Sequence, residues 1–238
     1  MTKLSVNLNK IALIRNSRDS NMPDLMKVAI DCESYGAQGI TIHPRPDQRH
    51  AKYSDVEKLK EIVTTELNIE GYPSEEFMKV VLKHRPHQVT LVPDLPGALT
   101  SDHGWDTILQ KDFLVDIINR LKDRGIRTSI FLDANPALIK SAKETGTDRI
   151  ELYTGPFAED FEVGEHDSAV KPYVDTAIEA LKMDLGINAG HDLNLYNLRF
   201  FKTAVPGLLE VSIGHALICD ALYLGLEKSI KAYLDRLV

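Results

Sequence analysis

The chain has 238 residues, of which 43% are hydrophobic and 26% charged, and its formal net charge is −7. These proportions are ordinary for a folded globular protein and, at this length, indicate a single domain over residues 1–238. The acidic balance without a basic run excludes the usual nucleic-acid-binding proteins, and no apolar stretch approaches the ~20 residues that span a bilayer.

The two cysteines, Cys32 and Cys219, lie far apart on segments with helical patterns. This spacing is unlike a disulfide framework and indicates a reducing compartment. Because the N-terminal segment also lacks the long apolar core of a signal peptide, we expect a cytoplasmic protein. Neither nucleic acid nor a membrane is an expected partner.

Short runs of β-branched or apolar residues recur along the chain, and polar or charged residues gather at their ends. In a barrel of parallel strands the active site is built where strands end and βα loops begin. The polar endings therefore predict one shared site. The runs end at Val6-Asn7, Ile42-His43, Ile69-Glu70, Leu91-Val92, Leu132-Asp133, Ile150-Glu151, Ile187-Asn188 and Ile213-Gly214-His215.

Helical patterns separate most of these runs. Pro23-Asp24 begins a helix that stops at Gly36, Ser54–Glu57 has the spacing of a capping box, and Ser74 begins a helix that ends near Pro86. The alternation predicts a (β/α)8 TIM barrel with extra helical segments. Later helices are expected near residues 113–124, 136–145, 169–183, 194–203 and 216–237.

The connection from Pro93 to Asp106 is longer than a simple βα link requires. Loops of this length usually bind or cover something. Gly97 and Gly104 could serve as hinges, so the segment is interpreted as a lid over the site.

The segment from His43 to His50 holds two histidines and two arginines just past a strand end. Arginine suits phosphate, and histidine exchanges protons near neutral pH. We therefore interpret this cluster as functional, without assigning individual jobs to its histidines.

Two carboxylates, Glu70 and Glu151, stand at the ends of the third and sixth runs. Partial burial would raise their pKa values and make them general bases. The alternative is a strand-end salt bridge, which for Glu151 would involve the neighbouring Arg149. Glu70 has no adjacent cation in the sequence and is the stronger candidate.

Gly190 and Gly214 follow the last two strand runs. In barrels the loops after strands seven and eight frequently hold phosphate through backbone amides and a helix N-terminus. Each glycine stands beside a histidine, His191 and His215. We therefore expect an anion site in this part of the barrel.

In order and spacing, a set of these residues resembles the pyridoxine 5′-phosphate synthase family of vitamin B6 biosynthesis. The resemblance extends from Asn7 to the C-terminal helix. The matching residues are Asn7, Arg18, His43-x-Arg45, Arg49-His50, Asn68-x-Glu70, Leu91-Val92-Pro93, Glu151, Asn188-Ala189-Gly190-His191 and Ile213-Gly214-His215-Ala216.

The resemblance implies a transferase that condenses 1-deoxy-D-xylulose 5-phosphate with 3-amino-2-oxopropyl phosphate, without a metal or organic cofactor, in a homo-oligomer that would be an octamer. It implies that His43 and Glu70 accept protons, that His191 donates one and that Glu151 stabilises a transition state. The substrate-binding residues it implies are Asn7, Arg18, Arg45, His50, Thr100, Gly214 and His215. Asn9, Lys10 and Asp192, which stand where the family has other residues, are expected to contact substrate as well.

The chain departs from the common family pattern at Asn9-Lys10, Asp192 and Ser212, where many members have Asp-His, Gly and Asn. Asn9 can still bind a hydroxyl and Lys10 an anion, although Lys10 cannot act as a neutral imidazole would. Asp192 places a negative charge beside the expected phosphate loop.

Two other readings remain open at this point. A metal-dependent phosphosugar aldolase or epimerase would use His43, His191, His215 and Glu70 as ligands, yet the first strand lacks a His-x-His. A non-catalytic barrel that binds a phosphorylated metabolite is the second alternative. It would leave the convergence of several acid/base groups on one face without a use.

Overall fold

The computed structural model describes residues 1–18, 20–94 and 101–238. In this part of the chain, consecutive strands pair in parallel and the last strand pairs with the first, which forms an eight-stranded barrel. The predicted (β/α)8 barrel is therefore confirmed. The strands are β1 (Lys3–Asn7), β2 (Gly39–Ile42), β3 (Glu66–Gly71), β4 (Gln88–Leu91), β5 (Arg127–Leu132), β6 (Arg149–Tyr153), β7 (Gly186–Gly190) and β8 (Leu208–Ile213).

Helices surround the barrel and include segments beyond one helix for each strand, as the sequence predicts. The described α-helices are α1 (Asn9–Asn16), α2 (Leu25–Ser34), α3 (Tyr53–Ile62), α4 (Glu75–His84), α5 (Lys111–Lys122), α6 (Ile139–Glu144), α7 (Gly155–Glu162), α8 (His166–Lys182), α9 (Leu198–Ala204), α10 (His215–Leu224) and α11 (Leu226–Leu237). A 3-10 turn over Pro136–Leu138 leads into α6. None of the helices in residues 1–18, 20–94 and 101–238 is both long and apolar enough to cross a membrane.

The beginnings of two helices follow the sequence signals. The carboxylate of Asp24 accepts the Met26 amide of α2, and the hydroxyl of Ser74 accepts the Phe77 amide of α4. Such side-chain oxygens satisfy amides that have no partner within the first helical turn.

The predicted capping box at Ser54–Glu57 is wrong. α3 begins earlier, at Tyr53, and Asp55 reaches back 2.8 Å to accept the amide of Lys52. The same carboxylate also holds the guanidinium of Arg15, with a 2.8 Å contact to Nη1. This buried pair connects α1 to α3 and places the start of α3 two residues before the expected position.

The sequence pattern misses three features of the helical layer. α1 and α7 have no counterpart among the predicted helices, and the segment predicted as one helix over 216–237 is two. The break falls at Gly225, whose φ of 83° is accessible to glycine at little cost. Apolar periodicity continues across this break, so it does not reveal the bend.

Residues alternate between two environments along each strand. Leu4, Val6 and Ile40 are fully buried in the apolar core between barrel and helices. Polar side chains face the barrel interior, where the hydroxyls of Ser5 and Thr41 lie 2.7 Å apart. Because side chains alternate with a period of two, the last inward positions of most strands bring polar groups to the carboxyl-terminal mouth.

Candidate active site

A cavity of about 570 Å³ lies at the carboxyl-terminal mouth of the barrel. Such a volume lies within the range of small-molecule sites. Most residues predicted from the sequence line this cavity, although they come from many parts of the chain. Those lining it are Asn7, Asn9, Lys10, His43, Arg45, His50, Glu70, Glu151, His191, Asp192, Gly214 and His215.

Two predicted residues are not among the cavity lining. Arg18 is exposed beyond the end of α1 and is not among the residues that line the cavity. Thr100 lies outside the described residues, as does Gly97, one of the two expected hinges. The substrate-binding roles of Arg18 and Thr100 stay predictions.

Glu70 is held near the centre of the mouth by neutral donors. Asn7 Nδ2 lies 3.3 Å from one carboxylate oxygen, and Ser212 Oγ lies 3.5 Å from the other. Burial raises the pKa of Glu70 to about 7, an effect that nearby His191 opposes and Asp94 reinforces. A carboxyl with this pKa can accept a proton at neutral pH.

Glu151 is buried on β6 and lines the same cavity. Thr90 Oγ1 donates to its Oε2 over 3.4 Å. Burial raises the pKa of Glu151 well above its ordinary value, and the charges of Glu70 and Glu210 reinforce this. The pKa values of two neighbouring carboxyls are thus both raised, and their mutual repulsion keeps one of them protonated when the other ionises.

The alternative salt bridge between Glu151 and Arg149 is not what the structure contains. Arg149 Nη1 donates to Asn188 Oδ1 over 3.1 Å and lies 3.8 Å from Glu210 Oε2. Both residues of β6 face inward, but Arg149 lies deeper in the barrel, where β7 and β8 supply its partners. Glu151 stays at the mouth with Thr90.

His43 is positioned through its backbone. Asn9 Oδ1 accepts the His43 amide over 2.8 Å, and Asn7 Oδ1 accepts the Asn9 amide over 3.0 Å. This chain of contacts brings His43 Nδ1 to 3.9 Å from Glu70 Oε2. Asn9 therefore orients a predicted base, a role that sequence reasoning did not assign to it.

Both histidines of the basic cluster are neutral at neutral pH. Burial lowers the pKa of His43 well below its ordinary value, and the charge of Arg45 adds to the effect. Burial and the same arginine lower the pKa of His50 to about 4. A neutral imidazole can accept a proton, as the predicted role of His43 requires.

The long connection after β4 is anchored where it is described. Arg45 Nη2 and Ser101 Oγ meet the same oxygen of Asp94, at 2.5 and 2.6 Å. The indole of Trp105 is buried and donates to the Leu91 carbonyl over 2.8 Å. A Cβ at Gly104 would fall 2.4 Å from the Asp133 amide, so this predicted hinge is packed against β5.

Two glycines at the mouth are required by close backbone approach. A Cβ at Gly190 would lie 2.6 Å from the Ser212 carbonyl oxygen and 3.0 Å from Glu151 Oε1. A Cβ at Gly214 would lie 3.0 Å from the Asn7 Cβ. Gly214 also directly precedes α10, whose N-terminal amides suit an anion.

The cavity includes residues that the sequence prediction did not assign to the site. Arg49, Ser212, Phe131 and Leu13 all line it. Arg49 belongs to the basic cluster and Ser212 to the last strand, so both had a signal in the sequence. Phe131 follows Ser129 by two residues on β5, and strand alternation identifies it as inward-facing. Leu13 had no signal because α1 was not predicted.

The fold and this cavity define a (β/α)8 barrel with titratable side chains, arginines and glycine-containing loops at its carboxyl-terminal mouth. The model of the family described as pyridoxal phosphate biosynthesis protein PdxJ matches residues 4–238. The chain belongs to the PdxJ family.

Two relatives match over their full lengths. The pyridoxine 5′-phosphate synthase of Flavobacterium johnsoniae is 57% identical, with 100% of both chains covered. That of Cytophaga hutchinsonii is 56% identical over 100% of this chain and 99% of its own.

Solved structures with much lower identity share the barrel. A phosphoribosylanthranilate isomerase from Thermotoga maritima superposes with a TM-score of 0.62 at 13% identity, covering 100% of this chain and 98% of its own. A 4-hydroxy-2-oxoglutarate aldolase from TTHB1 reaches a TM-score of 0.66 at 16% identity, covering 99% and 94%. At these identities the likeness concerns the fold alone.

Proposed function

We propose that the chain is a pyridoxine 5′-phosphate synthase, a transferase that condenses 1-deoxy-D-xylulose 5-phosphate with 3-amino-2-oxopropyl phosphate. The products are pyridoxine 5′-phosphate, phosphate and water. The observation that carries this proposal is the pair of buried carboxyls, Glu70 and Glu151, whose pKa values are raised in one cavity with a neutral His43. Ring closure with elimination of water needs several such groups.

The proton acceptors in this mechanism are Glu70 and His43. With a pKa of about 7, Glu70 is partly ionised at neutral pH and can remove a proton from the condensing substrates. His43, at 3.9 Å, shares the same region and is neutral. Both groups lie in the same cavity and each can accept and release a proton there. They can therefore serve successive proton transfers.

Glu151 and His191 supply protons and hydrogen bonds in this mechanism. The raised pKa of Glu151 keeps its carboxyl protonated beside an ionised Glu70, so it can donate a hydrogen bond to developing negative charge. His191 lines the same cavity and would protonate a leaving hydroxyl. No step in this scheme uses a metal or an organic cofactor.

The phosphate groups of the substrates would lie among cations and backbone amides. His215 begins α10, and Lys10 lines the cavity near it. Arg45, Arg49 and His50 come from the loop after β2. Two phosphorylated substrates need two anion positions, and these groups come from the loops and helix starts after three adjacent strands, β8, β1 and β2.

The experiment that tests this function is turnover by metal-stripped protein. Purified chain treated with a chelator is mixed with both phosphorylated substrates, and pyridoxine 5′-phosphate is measured. We expect full activity after chelation. Loss of activity that returns with zinc or manganese would support the aldolase or epimerase alternative, and binding without turnover would support the non-catalytic barrel. Within the described residues, no three His, Cys, Asp or Glu side chains are grouped to hold a metal ion.

The chain is also proposed to form a homo-oligomer, with an octamer implied by the family resemblance. Leu13 and Ile14 of α1 are 43% and 45% exposed, and Leu222 and Tyr223 of α10 are 73% and 90% exposed. α1 packs beside α10, and Leu13 also lines the cavity. A second copy of the chain is the proposed cover for this apolar surface.

Light scattering after size exclusion tests the assembly. Replacing Leu222 with Glu should lower the mass of the particle, whereas Val163→Glu, at an apolar residue 76% exposed beyond α7, should leave it unchanged. A monomeric unmodified chain would contradict the proposal. A cytoplasmic location is proposed as well, and fractionation of the source cells would test it.

A further inference from the structure

A second cavity, of about 610 Å³, lies at the opposite end of the barrel from the active site. Lys3, Glu66 and Arg127 are the first residues of β1, β3 and β5 and line this cavity from within. Residues that precede the strands or end the helices complete it. The proposed reaction does not use this end of the molecule.

Among the residues that line this cavity, cations outnumber carboxylates, although the charges of Glu210 and Asp148 also act on Arg127. Lys3, Lys60, Arg85 and Arg127 contribute cations, and Glu66 is the carboxylate among the lining residues. The chain as a whole has a net charge of −7, so the surplus of positive charge is local. A concave surface with one sign of charge attracts ions of the opposite sign.

The carboxylate of Glu66 is already occupied. It accepts a short contact from Arg127 Nη2, and its other oxygen lies 3.6 Å from Lys3 Nζ. Lys60 and Arg85 make no side-chain hydrogen bond or ion pair within residues 1–18, 20–94 and 101–238. Two cations therefore face the cavity without a protein anion to balance them.

The neutral side chains of the cavity also present donors. His87 Nδ1 accepts the Leu67 amide over 3.0 Å, so the proton of the neutral ring is on Nε2. Gln38 Oε1 accepts the Leu4 amide over 2.8 Å, which leaves its amide nitrogen to donate. The site thus offers cations and N–H donors, and its one lining carboxylate, that of Glu66, already contacts Arg127 and Lys3.

We propose that this cavity is an anion site for a small organic phosphate, separate from the active site. A phosphate dianion matches the surplus charge, and its oxygens accept the hydrogen bonds that Arg85, Lys60 and His87 offer. The cavity is larger than a bare ion requires, so an organic group attached to the phosphate has room beside Pro86 and Gln38.

Inorganic phosphate is the probe that tests this site, and the ring signals of His87 report on it locally. In protein labelled at histidine, phosphate should shift the His87 signals along a saturating curve, with the assignment taken from His87→Gln. The double variant Lys60→Gln with Arg85→Gln should raise the dissociation constant at least about tenfold, because two charge-assisted contacts are lost.

The matched control removes two charges from α3 and α4, at positions outside the cavity. Lys58→Gln with Lys79→Gln should change the dissociation constant less than about threefold, through long-range charge alone. A response that does not saturate, or one that chloride or acetate reproduces at equal ionic strength, would overturn the proposal. Equal weakening in both double variants would also overturn it.

Discussion

At the scale of single residues, the site depends on two neighbouring carboxyls whose pKa values are both raised. Glu70 has neutral donors on both oxygens, from Asn7 and Ser212, whereas Glu151 receives a contact from Thr90. Burial raises both pKa values, and the charge of an ionised Glu70 reinforces the effect on Glu151. In the proposed division, Glu70 is the base and Glu151 the hydrogen-bond donor.

Replacing Glu70 with Gln should lower kcat by about 10²–10⁴, the usual cost of losing a general base, with a much smaller change in substrate affinity. Gln keeps the size and the hydrogen bonds of the side chain but not its basicity. Steady-state kinetics with both substrates measures the effect.

The free energy of unfolding of the Glu70→Gln variant separates a catalytic role of Glu70 from a structural one. In the folded state the pKa of Glu70 is raised to about 7. The native protein therefore keeps a proton that the unfolded chain releases once the pH exceeds the ordinary pKa of glutamate. Stability therefore falls as pH rises from about 4.5 towards 7. Glu70→Gln removes this pH-dependent loss of stability. In urea unfolding at pH 8, the free energy of unfolding of the variant should therefore be at least as large as that of the unmodified chain. Near-normal kcat with lowered stability would contradict the catalytic role.

The pH dependence of turnover should have an acidic limb near pH 7. Activity requires ionised Glu70, whose pKa is about 7, so kcat/KM should rise about tenfold per pH unit below that value and level off above it. His43 and His50 are already neutral there, since their pKa values are lowered. A pH profile that is flat between 5 and 8 would exclude Glu70 as the titrating base.

Asp192 should act through its neighbour His191. Its Oδ2 lies 2.7 Å from His191 Nδ1, and this hydrogen bond lowers the pKa of Asp192. Asp192→Asn should lower kcat about tenfold or more by loosening the ring orientation, as removing the partner of a functional histidine does. The negative charge of Asp192, which the sequence places beside the expected phosphate loop, therefore contacts the ring of His191.

The chain contains a matched control for this change. Asp102 and His103 form the same kind of adjacent pair, with 2.6 Å between Oδ1 and Nδ1, on an exposed surface. Asp102→Asn should leave kcat unchanged. If both variants lose activity equally, the effect of Asp192 is not specific to the cavity.

At the scale of elements, the end of the long β4–α5 connection is tied to the barrel. Trp105 donates its indole N–H to the Leu91 carbonyl, and the Trp105 amide donates to the Phe131 carbonyl over 2.9 Å. Gly104 fits there because no side chain can occupy the space beside Leu132 and Asp133. Whether the segment closes over substrate stays a prediction.

Replacing Gly104 with Ala should destabilise the chain by about 1–3 kcal/mol, because backbone atoms of β5 must shift to admit the methyl group. The chain has a single tryptophan, so fluorescence of Trp105 during urea unfolding reports on this place directly. Gly125→Ala is the comparison. Its φ is 71° with nothing within 4 Å of a Cβ, so its cost is conformational alone. An unchanged unfolding curve for Gly104→Ala would contradict the packing.

At the scale of the whole molecule, the barrel is held together partly by charged groups inside it. Arg149 bridges Asn188 of β7 and Glu210 of β8, and both Arg149 and Glu210 are largely withdrawn from solvent. A buried ion pair contributes little over an apolar pair, but removing one partner leaves an uncompensated charge.

Arg149→Met should therefore lower the free energy of unfolding by about 3–5 kcal/mol. Urea unfolding measures the loss, and Lys171→Met is the surface comparison. Lys171 pairs with Asp175 at 2.5 Å on an exposed helix face, where such pairs contribute at most about 1 kcal/mol. Equal losses in the two variants would mean that the interior charge is solvated.

The sequence by itself determined the barrel and most of its site. Strand period and helix period are local properties, so β-branched runs ending in Asn7, Glu70 and Glu151 were sufficient to place these side chains at one mouth once the sheet closed. The family resemblance added roles to these positions. Helix boundaries that depend on side-chain caps, such as Asp24 and Ser74, were also visible.

Only the tertiary structure decided which side chains contact one another across the barrel. Arg149 is two residues from Glu151 in sequence, yet its partners come from strands 39 and 61 residues further on, at Asn188 and Glu210. The raised pKa of Glu70 likewise depends on burial by elements distant in the chain. Desolvation and contact distance are properties of packed elements, so a local pattern contains no information about them.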